Sequence, residues 1–438
     1  MSRANPTFSF PTKTTSWLYS LLYPWVAKGV DLFVEDLEVD GLQNIPKDGP
    51  IMLIANHQNA MFDPLICCRV FPRQLHWLTR SDVFKNKRVA SFLHAIHMLP
   101  IYREKDNVAD QMERNEEVFK VCRERLSKGA VVAMFPEGSH RGKKQLMTPL
   151  KKGFARLAFS SIEKDARLMN LKILPMALDY SSFVEYQPRI LLKIGQPISL
   201  KNYWEQYVDD PNKAINLLVK EASDSLSSLM IDIRDNDHYD QLILLAPLFT
   251  PSLSKSSFEG LIGYQKFIND WPSLSPSARD YCHRYLELTQ SMGIDPKSMV
   301  MLENNQWKIH CAYYIEWLPA ALGRCVYSPL YLLTEKFIQR NVKDELFYNS
   351  IRLAFFTFLT PFYWLVVMGL AMWLVPNWNG LEVFVGFLFL IAIGLFSISW
   401  NKTRNLRNGI LRARRAHRQF PELWQEATEL QRKIRFNE

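Results

Sequence analysis

At 438 residues and 51.2 kDa the chain has the length for two or three domains with a full core. Its 27 Phe, 17 Tyr and 12 Trp are a heavy load for a purely soluble protein and suit membrane interfaces. The formal charge of +9 is uneven: the last 38 residues hold ten Lys/Arg against four Glu, a +6 tail whose place after an apolar segment favours anionic lipid over nucleic acid.

Six cysteines without a CxxC exclude a disulfide frame and a cysteine zinc site, and read as reduced, buried thiols on the cytosolic side. No basic stretch followed by a clean apolar one marks a cleavable signal peptide. Residues 16–34 carry Trp17, Tyr19, Leu21, Leu22, Tyr23 and Trp25 but are interrupted by Pro24, Lys28 and Asp31. The segment 1–35 therefore reads as an interfacial amphipathic helix, the alternative being an ordinary packed helix. From Leu37 short strands alternate with helical patterns, over a domain of residues 36–235. Strands are expected at 37–39, 51–55, 75–79, 130–135, 173–178 and 190–194, helices at 107–128 and 151–162. This alternation predicts an α/β fold, a mixed sheet flanked by helices, with ligands gathered at the carboxyl ends of the strands.

Residues 236–350 predict a helical subdomain with helices at 256–271, 278–292 and 330–340, to which no task can be assigned. Within it, Cys311–Leu333 is apolar but broken by Glu316, Pro319, Arg324 and Pro329, which places it against a membrane without crossing. Leu353–Val375 has no charge and Leu381–Trp400 only Glu382, each long enough for the about 20 residues that span a bilayer. With the turn Pro376-Asn377-Trp378-Asn379-Gly380, residues 351–400 predict a C-terminal transmembrane helical hairpin, the alternative being two buried core helices. Arg340, Lys343 and Arg352 precede the hairpin, Lys402–Arg418 follow it, and the turn has no Lys or Arg. Both ends, including the 36–235 domain and the basic tail 401–438, are thus expected on the cytoplasmic face of a multi-pass membrane protein.

The chemistry concentrates in Asn56-His57-Gln58-Asn59-Ala60-Met61-Phe62-Asp63, which leaves the apolar run Ile51–Ala55. A histidine at a strand end and a nearby carboxylate supply a base and the acid that orients it, with no Cys or Ser nucleophile beside them. The plain alternative is a turn with a hydrogen-bonded histidine. On one helix, residues six apart lie about 120° apart, so the pair meets only if His57 precedes the helix start. Three further patches follow: Ile101-Tyr102-Arg103, Phe135-Pro136-Glu137-Gly138-Ser139-His140-Arg141, and Leu174-Pro175-Met176-Ala177-Leu178. Arg103 and Arg141 are candidates for a phosphate, which the planar guanidinium binds in two-point fashion. The Glu137-Gly138 turn lets backbone approach a ligand, with Glu137 holding a hydroxyl or orienting an arginine, or else capping a helix or pairing with Arg103. His76, His94, His97 and His310 are assigned nothing.

In this order and spacing the four patches resemble the glycerolipid acyltransferase superfamily, whose usual pattern is NHx4D, GxxxIxR, FPEGTRS and a Val-Pro strand. The likeness covers roughly residues 36 to 200. It implies an enzyme that moves a fatty acyl group from acyl-CoA or acyl carrier protein to a glycerol-phosphate hydroxyl in phospholipid synthesis, without cofactor or metal. His57 and Asp63 would be catalytic, and Arg103, Glu137, Gly138, Ser139, Arg141 and Lys152 would bind substrate. There are departures. Five residues separate His57 from Asp63 where four are usual, a spacing that looks like the fungal glycerol-3-phosphate/dihydroxyacetone-phosphate branch. His97 stands for the second block's Gly; Ser139, His140 and Arg141 stand for Thr, Arg and Ser, shifting the guanidinium by one place. Lys143, Lys144, Lys151 and Lys152 could share the phosphate with Arg141. Glycerol-3-phosphate or dihydroxyacetone phosphate is the expected acceptor, with a lysophospholipid second. A non-catalytic lipid-binding protein is the competing class, and a serine hydrolase built on Ser139 lacks the GxSxG elbow.

Overall fold

The computed structural model describes residues 14–249, 257–302, 306–375 and 377–436, apart from 104, 105, 107 and 109. Parts of the expected features at 1–13, Ser256, Pro376 and 437–438, and the side chain of Lys402, lie outside the described residues. The chain divides into two compact units. One runs to Asp232 and takes in Asp344–Leu353; the other comprises Ile233–Lys343 and Ala354 onward. A boundary near 235 was expected, but the return of Asp344–Leu353 to the first unit was not.

The first unit begins with α1 (Trp17–Phe33), β1 (Asp36–Asp40), β2 (Ile51–Ala55), α2 (Phe62–Val70), β3 (Leu75–Arg80), α3 (Lys87–Ala95) and β4 (Leu99–Ile101). It continues with α4 (Gln111–Ser127), β5 (Val131–Met134), α5 (Gly153–Lys164), β6 (Lys172–Tyr180), β7 (Arg189–Ile194), β8 (Ile198–Ser199), α6 (Lys201–Asp209) and α7 (Pro211–Leu229). Among the described residues the strands form one eight-stranded sheet in the order β1-β7-β6-β2-β5-β3-β4, with β8 pairing to β6. β6, β2, β5, β3 and β4 are mutually parallel, while β7 is antiparallel to β6, so the sheet is mixed as expected. The short strands β4 and β8 and the helix α3 were not foreseen.

β2 is buried along its whole length because both faces of the sheet are covered, which is why it reads as an unbroken apolar run. Met52 and Ile54 pack with Val132 and Ile173 against α4, α5 and α7. Ile51, Leu53 and Ala55 pack on the opposite face with Val30 and Phe33 of α1 and Ile66 and Cys67 of α2. The result is a three-layer sandwich whose five parallel strands end at one edge. α1 is two-faced, as expected: Val30 and Phe33 enter the core, while Trp17, Leu21 and Trp25 are 77%, 56% and 54% exposed.

The described part of the second unit holds α8 (Tyr239–Phe249), α9 (Ser257–Asp270), α10 (Pro276–Ser291), α11 (Pro296–Leu302), α12 (Gln306–Asn341), the body of α13 (Tyr348–Leu374), α14 (Gly380–Gln419) and α15 (Pro421–Phe436). α13 and α14 are long and apolar enough to cross a membrane and are largely unburied along those stretches. Asn379 starts α14 with a reciprocal cap, accepting from Glu382 N while its own N–H donates to the Glu382 carboxylate. That cap accounts for the one acid near the span's end. The interrupted apolar run Cys311–Leu333 lies within one helix, α12, which continues through Pro319 and Pro329. Its polar groups turn to α14, Glu316 accepting from Ser399 Oγ at 2.8 Å and Thr403 Oγ1 at 3.1 Å, and Arg324 lying 3.8 Å over the Trp400 ring. Gly323 permits this pairing, since a Cβ there would lie 2.2 Å from Ile393 O. All six thiols are free, but Cys311 and Cys325 are exposed on α12 rather than buried as expected.

Candidate active site

The site is built where β2 ends. Asn56, fully buried, donates from Nδ2 to Leu178 O at 2.9 Å and accepts from Leu178 N at 2.8 Å. It thereby continues the β2–β6 pairing by one residue through a side chain and fixes where the next residue leaves the sheet. That residue is His57, and its Nδ1 lies 2.8 Å from Asp63 Oδ2. The helix α2 starts at Phe62, so His57 does precede it, as the pairing requires. The loop takes up its extra residue with Ala60 in the left-handed region at φ 40° and a Phe62 N–H to Asn59 O bond of 2.9 Å.

Asp63 is fully buried, and a buried carboxylate is costly unless its lone pairs are filled. They are. Oδ2 accepts from Gln58 N at 2.8 Å and Asn59 N at 2.9 Å as well as from the imidazole, and Oδ1 accepts from Tyr180 Oη at 2.6 Å. Burial, with Asp63 beside it, holds the Tyr180 phenol protonated far above its ordinary range, so it serves as a standing donor. With Nδ1 given to Asp63, the proton sits there and the lone pair falls on Nε2. The imidazole stacks on Phe135 at 4.0 Å and 8°, and Phe135 stacks on Trp77 at 4.8 Å. His140 meets the His57 ring edge-to-face at 5.2 Å.

Glu137 follows β5 and faces inward, 5% exposed. One carboxylate oxygen accepts the His57 N–H and the other accepts Met147 N at 2.8 Å, so Glu137 ties the histidine loop to the loop after β5. It neither pairs with Arg103 nor caps a helix. Burial outweighs these two donors and pushes the carboxyl up to about 7. Gly138 sits at φ 75° with the Lys151 side chain beside it, a Cβ there falling 3.5 Å from Lys151 Cγ.

The remaining expected residues are distributed unevenly. Arg103 lies just beyond β4, three strands and about 14 Å across the edge from β2. Its guanidinium is engaged by Asp106 at 2.7 Å, and that hydrogen bond holds Asp106 down to about 2. Arg103 is thus tied to a carboxylate rather than presented free. Arg141 is exposed and, among the described residues, has no carboxylate in salt-bridge range. Lys152 is exposed at the start of α5, with Lys151 beside it. Lys144 is not available: it is buried against Asp179 at 3.5 Å. Ser139 Oγ points to Met147 Sδ at 3.9 Å, not to a base. Tyr180 was missed, although its place two residues after Leu178 on the same strand face was a usable signal. Asp344 was missed too, and nothing local marks it: its Oδ2 lies 2.9 Å from His140 Nε2 across 204 residues of chain.

Two stability outcomes follow from this geometry. Tyr180→Phe leaves a buried carboxylate oxygen short of a donor and should cost about 1–3 kcal/mol, read as a lowered unfolding midpoint in detergent. For Glu137 the sign is set by its raised value: between about 4.5 and 7 the folded carboxyl keeps a proton that the unfolded one has released. Folding stability from this group therefore falls as pH rises through that window. Wild type should lose roughly 3 kcal/mol more than Glu137→Gln across it, in denaturation series at fixed pH values.

Residues 36–179 match the protein-family model described as Acyltransferase. Glycerol-3-phosphate O-acyltransferase 2 of Saccharomyces cerevisiae is 23% identical over 281 residues, covering 59% of this chain and 37% of that protein. The 1-acyl-sn-glycerol-3-phosphate acyltransferase of Bacillus subtilis is 25% identical over 122 residues, 28% of this chain and 56% of that protein. A crystal structure of a 1-acyl-sn-glycerophosphate acyltransferase from Thermotoga maritima matches at 18% identity and TM-score 0.35, covering 48% of this chain and 80% of that one. The chain spans less than two thirds of the length of either curated relative. Residues 36–179 thus form a domain of the Acyltransferase family model, and the relatives named above support the resemblance of this domain to the glycerolipid acyltransferase superfamily.

Proposed function

We propose that the chain is a membrane-bound O-acyltransferase that moves a fatty acyl group from acyl-CoA or acyl carrier protein to the hydroxyl of glycerol-3-phosphate or dihydroxyacetone phosphate. The observation that carries this reading is the His57–Asp63 pair, with Nδ1 held at 2.8 Å and Nε2 without a protein partner among the described residues. In the reaction Nε2 takes the hydroxyl proton as the oxygen attacks the thioester carbonyl, and Asp63 stabilises the imidazolium that forms. The carbonyl–sulfur bond then breaks, the ester carbon–oxygen bond remains, and the thiolate leaves with the proton returned by the imidazolium. A thiolate is a good leaving group, so one base suffices and no covalent enzyme intermediate is needed. The acceptor's phosphate is assigned to Arg141, with Lys151 and Lys152 close in sequence.

Glycerol-3-phosphate as acceptor is supported by the five-residue His57–Asp63 spacing and by the named activity of the yeast relative. A 1-acyl-glycerol-3-phosphate acceptor is the second reading, supported by the bacterial relative. Membrane attachment is supported by the exposed Trp17, Leu21 and Trp25 of α1 and by the apolar α13 and α14. Basic residues flank the apolar runs Leu353–Val375 and Leu381–Trp400 and are absent from the turn between them, which supports a cytoplasmic place for both ends. An acyl chain gains about 0.8 kcal/mol per methylene in lipid, so the product leaves most readily from a site at that surface.

Membranes carrying the full chain, given labelled acyl-CoA or acyl carrier protein and each of glycerol-3-phosphate, dihydroxyacetone phosphate and lysophosphatidate, should transfer label to one of the first two. His57→Ala should lower turnover by at least about 10³-fold while expression and membrane insertion persist. No transfer to any acceptor from folded protein would sink the reading. A reporter in the turn between Asn377 and Gly380 should be reached only from outside the cytoplasm; labelling from the cytoplasmic side would refute the hairpin.

A further inference from the structure

The turn ahead of the first apolar helix belongs to the site. Asp344–Leu353 packs on the first unit and is firmly anchored at its far end. Asn349, fully buried, donates to Phe183 O at 3.0 Å and Glu185 O at 3.1 Å, and Arg352 donates to Val184 O at 2.9 Å while lying 4.1 Å over the Tyr186 ring. Asn59, inside the His57–Asp63 loop, donates to the same Phe183 O at 3.2 Å. Leu346 covers Gly142, where a Cβ would come within 2.5 Å of its Cδ2. The near end of the turn holds His140, the residue that replaces the arginine of the family pattern. Asp344 Oδ2 accepts from its Nε2 at 2.9 Å, Phe347 packs edge-on at 5.3 Å, and the same ring meets His57 at 5.2 Å.

We propose that Asp344 is a positioning residue for catalysis: by holding His140 through Nε2, it fixes the ring that sets the plane of the His57 imidazole together with Phe135. The inference rests on the reading of His57 as the base. One hydrogen bond through Nδ1 leaves that imidazole free to pivot about the bond. Phe135 blocks the pivot by stacking, and His140 blocks it by its edge-on contact. The direction of the Nε2 lone pair, and so its alignment with an acceptor hydroxyl, depends on both contacts. Asp344 is 48% exposed on its side chain, and exposed ion pairs of this kind add little to stability, so its loss is expected at the chemistry and not at the fold.

Kinetics in membranes carrying the full chain, with glycerol-3-phosphate and a long-chain acyl-CoA, test this. Asp344→Ala should lower kcat about 10-fold with the acyl-CoA KM within about twofold and the unfolding midpoint unchanged. Asp344→Asn, whose amide oxygen still accepts from Nε2, should recover most of the loss. His140→Phe keeps the ring but removes the nitrogen that is held, and should lose about as much as Asp344→Ala. The double variant should then lose no more than His140→Phe alone. Losses that multiply, or Asp344→Ala turnover within about twofold of wild type, would overturn the proposal. If Asp344→Ala yields no folded protein, His140→Phe decides it, wild-type kcat there being the negative result. His57→Ala measured alongside separates the two levels. Turnover surviving in His57→Ala refutes the reading of His57 as the base, whereas a dead His57→Ala beside an unaffected Asp344→Ala refutes only the role of Asp344.

Discussion

A single buried carboxylate organises the site. Asp63 has no contact with water, and four donors converge on it: an imidazole, two backbone N–H groups and a phenol. Each of those donors constrains a different piece of chain. The two amides bend the residues after His57 into a loop around the carboxylate, which forces α2 to begin only at Phe62. The phenol ties that loop to the end of β6, which pairs directly with β2. The imidazole is the only one of the four whose other nitrogen is left for chemistry. Satisfying one ion's hydrogen bonds thus also orients the His57 imidazole.

Glu137 plays a related part from the other flank and is held differently. Its two oxygens clamp two backbone N–H groups, and burial outweighs them and pushes the carboxyl up to about 7. The motif glutamate holds the His57 backbone, while Arg141 stays exposed with no carboxylate in salt-bridge range among the described residues.

How far the sequence could be read follows from the range of the interactions. The sheet was legible because two-sided burial writes itself as unbroken apolar runs, as in Ile51–Ala55 and Val131–Met134. The His57–Asp63 pair was legible because its partners lie six residues apart, and the span-length apolar runs because hydropathy is additive. β4 and β8 were not, being too short to show a period. Lys144 read as a free cation because its acid, Asp179, is 35 residues away on another strand. Arg103 read likewise, because an Asp three residues on can be a ligand rival or a loop residue, and only geometry separates them. The partners of the polar residues in α12 were hidden for a comparable reason: Ser399, Thr403 and Trp400, which meet Glu316 and Arg324, lie on α14, more than 70 residues on.

The His140–Asp344 contact says most about how this chain departs from the glycerolipid acyltransferase pattern that it resembles. An arginine in place of His140 would carry a fixed charge and need no partner to define its state. A histidine does need one, because its donors and acceptors exchange roles with the proton, and an unheld ring turns freely. Asp344 provides that partner, from a segment that must be delivered to the site by some ten residues anchored at Asn349 and Arg352. Exchanging Arg for His at this place therefore ties the site to the segment that leads into α13. The one-residue shift of the guanidinium to Arg141 fits the same logic: the charge moves outward to an exposed position, and the inward position is given to a ring that packs against the base.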